Sequence, residues 1–494
     1  MPSLRAFVRT LPQRPDYHWW VFGIISAGTF LAVVDIGSLN IALPTIGEHF
    51  HAPLPSVQWL VLANSLTISV LLLPLARLGD LRGRRSLYIA GFAIFVAGAA
   101  IGATAVSLHM LIAARVVQGI GSALVQGNSI AMTLSAFTPQ ERGKALGLTL
   151  AVVGVSGVIG PSLSGFLAGS LGWRSIFFLN LGIGLCILTL SFVLVDRRRF
   201  GPPAASVSRP AFDWPGALLS GLTLLLFLLV MTNGNRVGWT SPLILAGVVA
   251  AVAALLAFVA RELAAAAPML ELRLFQRLPV TLGVAAAWTA FMGTATILFL
   301  TPFYLQNVQG LSPQSAGLIL IPGSFAMAVT GMLSGRFSDR FGGRRFAMAG
   351  MACSAASLFL FAAFLQPASP LILIIPILVL MFLGHGLFNS PNQNSVLSAL
   401  EQSRYGVMTA LFQLVRNSGN IVGIATATAI VVATMGAQGF EPNLAAVTKT
   451  SGQDIAASFV SGVRHACLVV GGLLAFGFIM CAIPLRKGPP APKE

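Results

Sequence analysis

Apolar residues along this chain come in long, nearly unbroken runs, not in the spaced pattern of a helix or strand that keeps one face in water. The runs lie near 19–43, 56–76, 86–104, 108–134, 145–169 and 175–195, then 214–232 and 241–260. Six more follow near 279–305, 313–335, 346–366, 370–395, 405–434 and 462–484, each bounded by Gly, Pro or charge. A bilayer crossing takes about 20 mostly apolar residues, and in hydrocarbon the backbone must satisfy its own hydrogen bonds. Each run therefore predicts one membrane-spanning helix, and the runs number 14.

An internal repeat orders them. Residues 76–85 read ARLGDLRGRR and residues 335–345 read GRFSDRFGGRR, two basic turns in which an Asp is followed by Gly and paired arginines. Asp80 and Asp339 are 259 residues apart, and the same offset carries Trp19 to position 278, where the second set of six runs begins. The expected fold is an all-α integral membrane protein built as two parallel six-helix pseudo-repeats, an arrangement known among transporters. The predicted divisions are an N-terminal tail at 1–18, a six-helix bundle at 19–195, a basic linker at 196–212 and an inserted helix pair at 213–260. A second linker at 261–278, a second bundle at 279–484 and a tail at 485–494 complete the chain.

Composition agrees with this reading. Only 9% of residues are charged, 56% are hydrophobic, and the mean hydropathy is +0.85. Soluble domains carry roughly 25% charged residues, so this chain does not offer water an ordinary surface. The net charge of +16 suggests nucleic acid until its placement is considered. Of the 30 Lys and Arg residues, 24 fall on one side of the predicted spans, the positive-inside signature, and nucleic acid is not expected as a partner. Both termini and the basic loops are assigned to the cytoplasm of a bacterial inner membrane. Cys186, Cys353, Cys467 and Cys481 lie scattered in apolar segments with neither metal nor disulfide spacing.

Several motifs fall in order on these spans. ARLGDLRGRRSLY resembles the loop signature of the major facilitator superfamily, with Ala76 where the family usually has Gly. LIAARVVQGIGSA at 111–123 resembles the fourth-helix motif of its drug:proton antiporters, VDIGSLNIALP at 34–44 the first-helix motif, and WRSIFFLNLGIG at 173–184 the start of the sixth helix. Gly147, Gly157, Gly160, Pro161 and Gly165 resemble the antiporter motif of the fifth helix, although Ser156 and Ser164 replace two of its glycines. With 14 spans, the chain most resembles the drug:proton antiporter-2 family, which implies the major facilitator fold and proton-driven multidrug efflux.

Asp35 is the one acid placed deep in a span. A charge there costs at least about 2.5–3.5 kcal/mol, a cost that a bound proton removes, so Asp35 is the expected proton carrier. The bland alternative is an acid permanently paired to hold helices together. Arg115 is expected at similar depth on the fourth span, where it can hold Asp35 charged when close and release it when the helices part. Gln118, one helical turn from Arg115, is expected to share its face.

Asp80, Arg82, Arg84 and Arg85, with Glu141, and then Asp339, Arg340, Arg344 and Arg345, read as charge clusters that gate the cytoplasmic end, or else as plain topogenic charge. Asn40, Gln118, Gln126, Gln306, His385 and Asn389 are candidates for the substrate cavity. Gln413, Arg416 and Asn417 are further polar residues within a span, and Arg416 reads as structural. The tight glycines around Pro161 are expected to let helices approach closely.

The span at 312–336 lacks the extra acid found in family members that export dications, which favours lipophilic or monocationic cargo. No phosphate-binding loop of the GxxxxGK[ST] form occurs, so a proton gradient is the expected energy source. No cofactor, no metal and no enzymatic activity are expected of the chain. The expected partners are protons, lipid and a small lipophilic substrate, and the expected state is a monomer; the sequence leaves a periplasmic adaptor undecided. The same fold also suits export of an endogenous metabolite or lipid. A membrane enzyme or sensor is the remotest reading, because no clustered His, Cys or acid residues support one.

Overall fold

A computed structural model describes residues 14, 16–138, 141–196, 213–265, 272–398, 405–440 and 453–483. Residues 1–13 and 15 of the expected N-terminal tail, 197–212 of the linker expected at 196–212, 266–271 of the linker expected at 261–278, and the tail at 485–494 lie outside the described residues. The first set of long helices comprises α1 (Tyr17–His49), α2 (Trp59–Arg82), α3 (Arg84–Ala103), α4 (Leu108–Ala136), α5 (Arg142–Ser170) and α6 (Arg174–Leu194). Next come α7 (Trp214–Val237) and α8 (Pro242–Ala264). The last set comprises α9 (Leu278–Phe303), α10 (Pro313–Phe341), α11 (Gly343–Phe364), α12 (Leu371–Ser398), α13 (Tyr405–Ala437) and α14 (Gln453–Ala482). Among the described residues, 13 helices are long and apolar enough to cross a membrane; α5, at 29 residues, is the long helix outside that set.

Helix pairing repeats between the two halves. In the first, α3 packs on α4 and α6, α4 on α2, and α1 on α5 and α6. In the second, α11 packs on α12 and α14, α12 on α10, and α9 on α13 and α14. The halves meet along two seams, α5 with α10 and α2 with α13, and α1 also touches α9. α7 and α8 pair with each other, and α7 lies against α2 and α13, so the extra pair flanks one seam without entering either bundle. Asp213 fixes its base by accepting from the Gly216 amide at 3.2 Å and pairing with Arg261 at 2.9 Å.

The same local devices recur in each half. The turns into α3 and α11 place Gly83 at φ 96° and Gly342 at φ 90°, which favours glycine. A methyl group on Gly121 would lie 2.5 Å from the Gly91 carbonyl oxygen, and one on Gly384 would lie 2.6 Å from that of Gly350. Both central crossings are therefore backbone against backbone, the contact that small residues make available in a membrane.

Because helices alternate in direction, Arg82–Arg85, Arg261 and Arg344 share one end of the molecule, here termed the basic end. The far end carries His49, Leu108, Ser170 and Pro313.

Some boundaries differ from those in the apolar pattern. α14 starts at Gln453, well before the run at 462, and α10 continues to Phe341. Apolarity marks the part of a helix that lies in hydrocarbon, whereas backbone hydrogen bonding continues through the polar turns beyond it. α9 passes into a π-helical turn, Tyr304–Val308, and a short helix, Leu54–Val57, precedes α2.

Candidate functional site

Asp35 on α1 and Arg115 on α4 meet inside the N-terminal bundle. Arg115 Nη1 donates to both Asp35 carboxylate oxygens, at 3.0 and 2.8 Å, and to Gln118 Oε1 at 2.8 Å, while Nε donates to the Leu60 carbonyl at 3.1 Å. Asn180 of α6 donates to Asp35 at 2.5 Å. The side chains of Arg115 and Asp35 are 1% and 3% exposed, so the pair is shut away from water in this conformation. A buried charge pair is tolerable only when its remaining donors and acceptors are satisfied, and here Gln118, Asn180 and the Leu60 carbonyl do that.

Satisfaction is incomplete around the rim. Asn40 Oδ1, Asn64 Oδ1, Gln118 Nε2 and Asn180 Oδ1 are buried without a hydrogen-bond partner among the described residues. Asn180 is not among the site residues expected from the sequence, where it occurs only within the sixth-helix motif. Its signal was available: it is an amide in the apolar run SIFFLNLGIGL.

Asp35 is also joined to the bundle seam. Its neighbours on α1 face α5: a methyl group on Gly160 would lie 3.4 Å from Val34 Cα, and one on Gly37 would lie 3.3 Å from Pro161 Cδ. Ser38 Oγ donates to the Gly160 carbonyl at 3.3 Å, and Ser164 Oγ donates to the Ser38 carbonyl. The other face of α5 meets α10. A methyl group on Gly165 would lie 2.6 Å from the Pro313 carbonyl oxygen, and one on Gly317 would lie 2.8 Å from that of Pro161. Gly160, Pro161 and Gly165 thus weld α1, α5 and α10 toward the far end. Gly157 approaches the Met327 methyl, and the side of α5 at Gly147 lies outside the described residues.

The cavity candidates separate. Gln118 and Asn40 are buried inside the N-terminal bundle, where Asn40 donates to the Ile36 carbonyl at 3.2 Å. His385 is buried inside the other bundle, its Nδ1 2.9 Å from Thr294 Oγ1 and its ring edge-on to Phe291. Gln306 instead bridges the bundles near the far end, donating to the Ile41 carbonyl at 2.8 Å and accepting from Thr45 at 3.3 Å. Asn389 is half-buried. Gln126 lies between the bundles, within 3.5 Å of Gln413 and 3.4 Å of Arg416.

The basic turns are tied within their own bundles. Arg84 donates to the Ala131 carbonyl and to Ser135 on α4. Arg85 donates to the Val195 and Phe192 carbonyls at 2.6 and 2.8 Å. Arg344 donates to the Cys481 and Ala482 carbonyls. Glu141 accepts from Thr138 at 2.9 Å, Arg82 and Arg345 are exposed, and the side chains of Asp80, Asp339 and Arg340 lie outside the described residues.

Known proteins agree with the architecture. The family model for the Major Facilitator Superfamily matches residues 25–424. The chain is 32% identical over 407 residues to the riboflavin transporter RibZ of Clostridioides difficile, covering 82% of this chain and 87% of that protein. It is 30% identical over 418 residues to the multidrug resistance protein Stp of Mycobacterium tuberculosis, covering 84% and 76% respectively. The fold is similar to that of a bacterial homologue of the human lysosomal transporter Spinster, with a TM-score of 0.66 at 17% identity, covering 95% of this chain and 98% of that one.

Proposed function

The chain belongs to the Major Facilitator Superfamily, a multi-pass membrane transporter by fold and by relatives, and on that premise we propose that it is a proton-coupled exporter of lipophilic small molecules. It works by alternating access in a bacterial inner membrane, with both termini and the basic end in the cytoplasm. Asp35 carries the proton and Arg115 is its partner.

One observation carries the proposal: the α1 residues beside Asp35 seat on α5, and α5 seats on α10 of the other bundle. In the present conformation the far-end seam is closed and Asp35 lies against Arg115 and Asn180. Opening the far end must pull α5 from α10 and loosen α1 against α4 and α6. A carboxylate that loses its guanidinium in a low-dielectric interior takes up a proton in place of its lost partner. Reclosing at the far end restores the ion pair and expels the proton toward the basic end. One inward proton is worth about 2.3 kcal/mol per 100 mV of membrane potential, enough for roughly a 50-fold cargo gradient.

The test is Asp35→Asn in an efflux-deficient host and in proteoliposomes with an imposed pH gradient. We expect folded protein at normal abundance, no uphill export, and retained cargo binding. Full drug tolerance with proton-dependent efflux in this variant sinks the proposal.

The named relatives favour a second reading for cargo alone. Likeness to a riboflavin transporter as well as to multidrug resistance proteins suits an endogenous metabolite moved by the same machinery.

A further inference from the structure

The helix α13 carries Gln413, Arg416, Asn417 and Asn420 at positions i, i+3, i+4 and i+7, which sets all four on one stripe. Gln413 Nε2 and Arg416 Nη2 both reach Gln126 Oε1 on α4, at 3.5 and 3.4 Å, so the stripe faces the opposite bundle and not lipid. By helical rise, Arg416 lies about 16 Å and Gln126 about 15 Å from the basic ends of their helices, inside both apolar spans. All three side chains are half-buried.

The chemistry of the cluster is lopsided. One amide oxygen is shared between a guanidinium and a second amide, at the long limit of hydrogen bonding. Arg115 has Asp35, whereas Arg416 has no carboxylate within ion-pair distance among the described residues. The Asn417 amide nitrogen is buried with no hydrogen-bond partner among the described residues. Donors exceed acceptors, and a cation sits uncompensated at a depth where charge is expensive. Such a site favours whatever brings negative charge or accepting oxygens.

We propose that Arg416, Gln413 and Gln126 form a cargo subsite between the bundles that binds an anionic or strongly accepting group, such as a carboxylate or sulfonate, on a lipophilic body. This assignment rests on the exporter reading for its biological role, while its binding chemistry stands apart from proton coupling. It narrows the cargo expected from the sequence, because a monocation placed here meets the Arg416 charge with no carboxylate to offset it. Contacts from both bundles also make the site responsive to conformation, since rocking the bundles separates Gln126 from α13.

The test uses the full chain in nanodiscs with no proton gradient, and empty nanodiscs are subtracted. Three probes are compared: anilinonaphthalene sulfonate, phenylnaphthylamine, which has the same aromatic body without the acid, and the cation tetraphenylphosphonium. The wild-type protein is expected to bind the sulfonate most tightly. Arg416→Gln is expected to weaken sulfonate binding roughly 10- to 100-fold, the scale of a lost charge-assisted hydrogen bond. The same change leaves phenylnaphthylamine binding in place, and Arg416→Lys keeps part of the sulfonate preference.

Tetraphenylphosphonium binding as tightly as the sulfonate to wild type overturns the proposal, as does Arg416→Gln binding the sulfonate with wild-type affinity. Should Arg416→Gln fail to fold, the wild-type ranking of anion against cation decides the matter. Equilibrium binding without a gradient is indifferent to Asp35, so failure of the coupling proposal is seen in export and failure of this one in probe affinity.

Discussion

Arg85 and Arg344, 259 residues apart, make the same bond in the two halves of the molecule. Arg85 donates to the last carbonyls of α6 at Phe192 and Val195, and Arg344 donates to those of α14 at Cys481 and Ala482. The final carbonyls of a helix have no partner within it and carry partial negative charge, so a guanidinium there supplies both hydrogen bonds and charge. Each arginine pins the start of its bundle's third helix to the end of its sixth.

Stability, more than gating, should therefore answer to these two positions. Arg85→Ala and Arg344→Ala are each expected to cost about 0.3–2 kcal/mol, the range for a cation at a helix C-terminus. Thermal unfolding of purified protein measures this. Lysine at either site should restore only part, because it lacks the planar fork. If the variants instead keep wild-type stability while opening the basic end to thiol reagents, these arginines are gates.

The far-end seam should resist any side chain larger than glycine. Gly165→Leu or Gly317→Leu places bulk against the Pro313 or Pro161 carbonyl and is expected to hold the bundles apart at that end. Spin labels at Val106, in the α3–α4 loop, and Ile372, in the first turn of α12, are 80% and 84% exposed at the far end and report the separation. Longer distances than in wild type are expected. An unchanged distribution means α5 and α10 can part without moving the far end.

Asp35 and Asn180 should be energetically coupled. Asn180→Ala removes a hydrogen bond to a buried charge and is expected to cost about 1.5–3 kcal/mol in the wild-type background. In the Asp35→Asn background the cost should fall by about 1 kcal/mol or more, since a neutral amide gains less from that donor. Additive losses in a double-mutant cycle would make the observed contact incidental.

The repeated glycine crossings should be equally intolerant. Gly91→Ala, Gly121→Ala, Gly350→Ala and Gly384→Ala each drive a methyl group toward backbone, and overpacking of this kind costs about 1–3 kcal/mol. Matching losses in both halves are expected by chemical denaturation. A tolerant half would show that its helices pack less closely than its counterpart.

The helices, the basic turns and the 259-residue repeat were legible because hydrocarbon imposes its own code: apolar runs must be helices, and charge must collect at their ends. Asp35 and Arg115 could be singled out for the same reason, since a charge inside such a run demands an explanation. What the sequence could not supply was direction around each helix axis. Gln118, Gln126 and Gln306 look alike in a string, yet one braces an ion pair, one faces Arg416 across the bundles and one latches the far end. The arginines of the basic turns likewise read equally as gates or as topogenic charge in the string, and only the packed bundle shows the carbonyls that Arg84, Arg85 and Arg344 bind. Composition along the chain fixes depth in the membrane, but which neighbour a side chain meets depends on how helices rotate and cross, and only the packed bundle sets that.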